Sequence, residues 1–143
     1  MVESVRQEIF PSRESSLGTV RGFVRRCAED LHLAPTDEQD IVLAASEAAA
    51  NAIIHGSGPE LTVSCRPEDG WLAVEVENEG AIEPPPALEA LDVAGGRGLR
   101  IMLALVDEVT IRTGDGGHPT TFVRLRKRLE RPSVLLRWTW QPA

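Results

Sequence analysis

The sequence predicts a two-layer α+β sandwich, a mostly antiparallel sheet covered on one face by helices. Three observations lead there. Segments with apolar residues at every second position alternate in groups with segments at helical spacing, in the order β-α-α-β-β-loop-α-β-β. Consecutive strand segments are separated by short turn sequences, which favours antiparallel pairing. The chain has 143 residues, enough for one hydrophobic core and too few for two. Residues 1–129 carry this pattern, and residues 130–143 form a C-terminal extension.

Taken in order, residues 2–10 (VESVRQEIF) alternate loosely and read as a first strand, broken by Pro11 and Ser12. From Ser15 to Leu31, Leu17, Val20, Phe23, Val24, Cys27 and Leu31 fall at helical spacing, with Arg21, Arg25, Arg26, Glu29 and Asp30 off the stripe. A second helix starts at Pro35-Thr36-Asp37-Glu38-Gln39. Thr36 is the expected cap, Gln39 completes a capping box, and Asp37, Glu38 and Asp40 suit the positive end of the helix dipole. The helix runs to Gly56, a natural C-terminal residue.

Leu61, Val63 and Cys65, then Leu72, Val74 and Val76, alternate with polar residues on either side of Pro67-Glu68-Asp69-Gly70, the pattern of a β-hairpin. Residues 80–93 read as a loop marked by Pro84, Pro85 and Pro86, and Leu99 to Val106 as a third helix. Two strands close the domain. Val109 and Ile111 belong to the first, Phe122, Val123 and Leu125 to the second, with Gly114-Asp115-Gly116-Gly117 between them. In the extension, Val134, Leu135, Leu136, Trp138 and Trp140 are too apolar for a free tail and are expected to pack on the domain or on a partner.

Composition narrows the function. The chain is 42% hydrophobic and 26% charged, ordinary for a soluble globular protein, and has no apolar run near the length of a membrane span. The N-terminal MVESVRQEIF is charged and lacks an apolar core, so a cytoplasmic protein without a signal peptide is expected. Cys27 and Cys65 have no metal-type spacing and read as buried free thiols. A net charge of −7 argues against direct nucleic-acid binding. Arg124, Arg126, Lys127, Arg128, Arg131 and Arg137 nevertheless crowd the C-terminal end, as a phosphate or partner contact or as a solvated strand face.

Within the second helix, Glu47, Asn51 and His55 stand at i, i+4 and i+8 and form one stripe among alanines and isoleucines. Such a stripe faces either water or a pocket. It contains no Lys or Arg, and a carboxylate one turn from an amide can hold a divalent cation or a water for general-base chemistry. Further on, Gly95-Gly96-Arg97-Gly98-Leu99 opens the third helix. Glycines there let backbone N–H groups approach phosphate oxygens, and the helix presents its positive end. Arg97 can add a charge-assisted contact.

The stretch SEAAANAIIHG around Glu47 and Asn51 resembles the N box of the GHKL (Bergerat-fold) ATPases, in the branch of bacterial anti-sigma factors that are also serine-protein kinases. Gly95 to Leu99 resembles that family's G2 box, in the same order and separation. The resemblance runs from about residue 5 to about residue 128 and implies an ATP-binding kinase domain over residues 1–129. It implies ATP and Mg2+ as cofactors, with Asn51 the metal ligand and Glu47 the general base that takes the proton from a substrate hydroxyl. Gly95, Gly96, Arg97, Gly98 and Leu99 would line the phosphates. Thr121 would stand near the adenine, and His55 would cap or pack.

At the G1 box the family writes Asp-x-Gly-x-Gly, whereas this chain has Asn78-Glu79-Gly80-Ala81-Ile82. Asn78 keeps an acceptor for the adenine amine but loses the charge. A charge-assisted hydrogen bond is worth roughly 1.5–3 kcal/mol against roughly 0.5–1.5 for a neutral one. On that reading nucleotide binding is about tenfold weaker, and an aspartate at this position would tighten it.

The implied function is an ATP-dependent serine-protein kinase and anti-sigma factor that phosphorylates an anti-anti-sigma protein and sequesters a sigma factor. The alternative is a partner-sequestering module that binds nucleotide weakly and does no chemistry. The resemblance also implies a homodimer, paired mainly through the first strand, where Ile9 and Phe10 would lie at a sheet edge, and the apolar side of the first helix.

Overall fold

Alternating strands need partners for their backbone groups, and here five of them form one antiparallel sheet. They are β1 (Arg6–Pro11), β2 (Glu60–Glu68), β3 (Trp71–Glu79), β4 (Glu108–Gly114) and β5 (Thr120–Arg128). Their order is β1-β2-β3-β5-β4, every neighbouring pair antiparallel. The helices are α1 (Leu17–Asp30), entered through a 3-10 turn at Glu14–Ser16, α2 (Pro35–His55) and α3 (Arg97–Leu105). The computed structural model describes residues 5–80, 97–114 and 119–129, with the side chain of Arg97 outside the description. The proline-marked loop with Ile82, Gly95 and Gly96, most of the turn after Gly114, and the extension 130–143 lie outside the described residues.

The two-layer α+β sandwich expected from the alternation is what forms. Leu61, Val63 and Cys65 of β2, Leu72, Val74 and Val76 of β3, and Val123 and Leu125 of β5 turn to one face. There they meet Val20, Phe23, Val24, Cys27 and Ala28 of α1 and the apolar side of α2. That side of α2 is Ile41 and Val42 followed by Ala44, Ala45, Ala48, Ala49 and Ala52, each at most 5% exposed. The hairpin closes tightly. Glu68 pairs with Trp71, so Asp69 and Gly70 alone make the turn, and Gly70 supplies the left-handed φ of 78° that it needs. Pro67 is tolerated inside β2 because β1 ends opposite Cys65, leaving Pro67 without a strand on its other side.

The start of α2 differs from expectation. Ala34 holds the cap position in extended conformation, Pro35 takes the first helical position, and no side chain caps the end. Proline's fixed φ suits that position and makes Thr36 part of the first turn. Asp37 is buried instead and lies 3.9 Å from Lys127 of β5. Lys127 also reaches Asp40 at 3.4 Å and donates to the Leu105 carbonyl at 2.9 Å. One lysine thus joins the beginning of α2 to the end of α3.

The basic run at the end of the sheet is not a free patch. Arg124, Arg126 and Arg128 point to the outer face, away from the helices, where acids on neighbouring strands meet them. Arg124 pairs with Glu68 at 2.5 Å and Glu75 at 3.6 Å, and Arg126 with Glu68 at 3.0 Å and Glu108 at 2.5 Å. Arg126 and Arg128 also lie over Trp71, at 4.2 and 5.2 Å from the ring centre. Cross-strand pairs of this kind fix register more than they add stability.

At the other edge, Ile9 is 56% exposed while Phe10 is 4% exposed and meets Phe23 edge-on, ring centres 6.0 Å apart. The apolar side of α1 is likewise inside the protomer's own core. Of the dimer surface expected from sequence, the backbone edge of β1 and Ile9 remain available, and Phe10 and the apolar side of α1 do not. Phe10→Ala is therefore expected to cost about 3–5 kcal/mol of unfolding free energy. Ile9→Ala should stay within about 0.5 kcal/mol. Urea denaturation of the two variants checks this, and equal losses would contradict the assignment of their faces.

Candidate functional site

The site is built along one side of α2. Alanines at 44, 48 and 52 hold that helix close to its neighbours, and the polar residues between them decide what meets there. Glu47 and Asn51 are half-buried and lie against the first turn of α3. A Cβ added to Gly98 would stand 2.8 Å from Asn51 Nδ2, 3.3 Å from Asn51 Oδ1 and 3.4 Å from Glu47 Oε2. A side chain at this position would push the ends of Asn51 and Glu47 aside. Among the described residues, no hydrogen bond or ion pair holds either polar group. A carboxylate and an amide one turn apart, beside the positive end of a helix, suit a cation and an anion bound together.

A second group sits at the C-terminal end of the same helix. Asn78 is 6% exposed and faces the helix layer from the end of β3. Its Nδ2 donates to the Glu79 carbonyl at 2.9 Å and toward the Ala52 carbonyl of α2 at 3.4 Å. With both N–H bonds directed at carbonyls, the oxygen Oδ1 is the side chain's acceptor. Gly56 ends α2 with φ −81° and ψ 170°, an ordinary extended conformation, so it is not there to turn left-handed. A Cβ on it would lie 2.0 Å from Asn78 Nδ2 and 2.4 Å from the Ala52 carbonyl, and the glycine is what lets β3 approach the helix.

Thr121 stands directly opposite Asn78 in the β3–β5 register and is fully buried. Its hydroxyl donates to the Gly80 carbonyl at 2.5 Å, and the Gly80 N–H donates to the Pro119 carbonyl at 2.8 Å. Gly80 has φ 110°, a conformation that L side chains rarely adopt. Gly80, which follows β3, is thereby anchored on the start of β5.

The structure therefore gathers Glu47, Asn51 and Gly98 at the middle of α2, and Asn78, Gly80 and Thr121 at its end. Leu99 packs half-buried against the core, and Arg97 opens α3. His55 is exposed in the last turn and joins neither group. Gly95 and Gly96 lie outside the described residues. Sequence reasoning missed Gly56 as a packing residue and the donor role of the Asn78 amide. The run Gly56-Ser57-Gly58 was the available signal for close approach at this corner. A depression of about 430 Å3 on the outer face, lined in part by Gln7, Thr62, Glu75 and Arg112, is on the far side of the sheet from both groups.

This chain matches a model of the histidine kinase-like ATPase domain over residues 10–127, and it belongs to that family. Membership of an ATPase domain family implies ATP binding. A protein named anti-sigma F factor, from Clostridium acetobutylicum, is 29% identical over 131 residues, covering 81% of this chain and 89% of that one. The crystal structure of the RsbU and RsbW domains of Rv1364c from Mycobacterium tuberculosis is similar with a TM-score of 0.70 at 26% identity. That match covers 90% of this chain and 33% of the other, so the chain spans about a third of that longer protein. The SiaB-SiaC complex from Pseudomonas aeruginosa contains the same fold, with a TM-score of 0.63 at 18% identity over 85% of this chain and 89% of that one.

The donor role of Asn78 reverses one expectation. Asn78→Asp places a carboxylate oxygen where Nδ2 now faces the Glu79 and Ala52 carbonyls. The variant is expected to lose about 1–3 kcal/mol of stability and to bind an ATP analogue no more tightly than the parent. Thermal unfolding with calorimetric titration checks both. Tighter binding with undiminished stability would show that the amide has the opposite orientation.

Proposed function

We propose that this chain is an ATP-dependent serine-protein kinase and anti-sigma factor, phosphorylating a serine on an anti-anti-sigma protein and sequestering a sigma factor. The observation that carries the reading is the meeting of Glu47, Asn51 and Gly98, a carboxylate and an amide against a side-chain-free helix start. The family match and the likeness to an anti-sigma F factor support it. In this reading Glu47 accepts the proton of the substrate hydroxyl, and the α3 N-terminus with Gly98 and its preceding glycines faces the phosphates. Asn51 would hold Mg2+, which when bound offsets charge on the phosphate oxygens. Asn78 Oδ1 would accept a hydrogen bond from the adenine amine, with Thr121 holding Gly80 in place behind it.

A second reading is a sequestering module that does no chemistry, and the uncharged Asn78 at the adenine position is the observation that favours it. Two further parts belong to the proposal. The protein acts in the cytoplasm, in keeping with the lack, among the described residues, of any helix long and apolar enough to cross a membrane. It also pairs as a homodimer through the exposed backbone edge of β1 beside Ile9. A single-chain mass in light scattering would remove the dimer.

The central test uses radiolabelled ATP and a purified anti-anti-sigma candidate. The parent should transfer phosphate to serine, whereas Glu47→Gln should abolish transfer and keep ATP affinity within a few-fold. Transfer by the Gln variant at the parent rate would remove Glu47 as the base. Nucleotide binding without transfer by the parent would favour the second reading.

A further inference from the structure

Beneath the start of β1 lies a pair of groups that the nucleotide site does not use. Cys27 of α1 and Cys65 of β2 are both free thiols, 3% and 1% exposed, in the same core cluster. Three contacts bring them together. Cys65 is directly opposite Arg6 in the β1–β2 register. Arg6 crosses to α1 and forms an ion pair with Asp30, one helical turn beyond Cys27. Between these anchors the two thiols are close enough for each to shift the other's acidity, and the positive Arg6 acts on Cys27 as well.

We infer that Cys27 and Cys65 form a redox-sensitive pair that a peroxide converts to an intrachain disulfide joining α1 to β2. The surroundings divide the roles. The neighbouring Cys65 thiol and the positive Arg6 lower the Cys27 thiol, which favours its thiolate form. Cys65 is raised, by the neighbouring Cys27 and by burial, and stays a thiol. Cys27 is then the nucleophile and Cys65 the resolving group.

In the first step the Cys27 thiolate attacks one peroxide oxygen. An S–O bond forms, the O–O bond breaks, and the departing hydroxide takes a proton to become water, leaving a sulfenic acid. In the second, the Cys65 sulfur attacks the Cys27 sulfur. The S–S bond forms, the S–O bond breaks, and the hydroxide leaves as water with the Cys65 proton. Two electrons from the thiol pair reduce one peroxide to two waters. Access is through the start of β1, an edge strand whose first residue, Arg6, has a half-exposed side chain. Opening the end of an edge strand is among the least costly motions of a fold.

The test treats the full chain with hydrogen peroxide, blocks remaining thiols with an alkylating agent under denaturing conditions, and maps the peptides by mass spectrometry. The readout is covalent and independent of kinase activity. The expected result is complete loss of both thiols together, a Cys27–Cys65 cross-linked peptide within one chain, and recovery of both thiols on reduction. Three results overturn the inference: a disulfide between two chains, Cys27 carried to sulfinic acid with Cys65 still a thiol, or both thiols intact under conditions that oxidise a small dithiol in the same tube.

Discussion

The close approach that small residues allow around α2 is the constraint on which the other elements depend. Ala44, Ala45, Ala48, Ala49 and Ala52 are almost completely buried, so the sheet, α1 and α3 can all come near the helix axis. The same logic recurs at both polar groups. Gly98 lets the start of α3 lie against Asn51 and Glu47, and Gly56 lets Asn78 reach the helix end. Packing and chemistry are therefore not separate layers here. The alanine face sets the distances, and the glycines admit the polar side chains into the gaps that remain.

Much of this was legible in the chain because it is written in short-range patterns. Period-two alternation in β2 and β3 and the Asp69-Gly70 turn specify a hairpin with little help from elsewhere, and the helical spacing in α1 survives Gly18 and Gly22. The stripe of Glu47 and Asn51 was also visible, since i and i+4 share a face. What set the stripe against another element was the position of Gly98, far along the chain on α3. No local pattern carries that.

The misreadings share one cause. Thr36 looked like a cap by residue type, yet Pro35 at the first helical position moved the cap to Ala34. Phe10 looked available at a sheet edge, but alternation turns it inward onto Phe23 while Ile9 turns out. For the basic run near the C-terminus, residue type left a partner contact and a solvated strand face both open. In the sheet it divides by parity, with Arg124, Arg126 and Arg128 among cross-strand acids on one face and Lys127 beneath the helices on the other. Strand periodicity predicts that division, whereas the identity of the partners is a matter of register.

The orientation of the Asn78 amide has a consequence beyond packing. A carboxylic acid at this corner would change its hydrogen-bonding sense with acidity, accepting when ionised and donating when protonated. An amide does not titrate, and its two N–H bonds are directed to fixed backbone carbonyls. The oxygen left over accepts at every pH at which the fold survives. Whatever group meets it must be a donor, and the polarity of that contact is insensitive to the acidity of the surroundings.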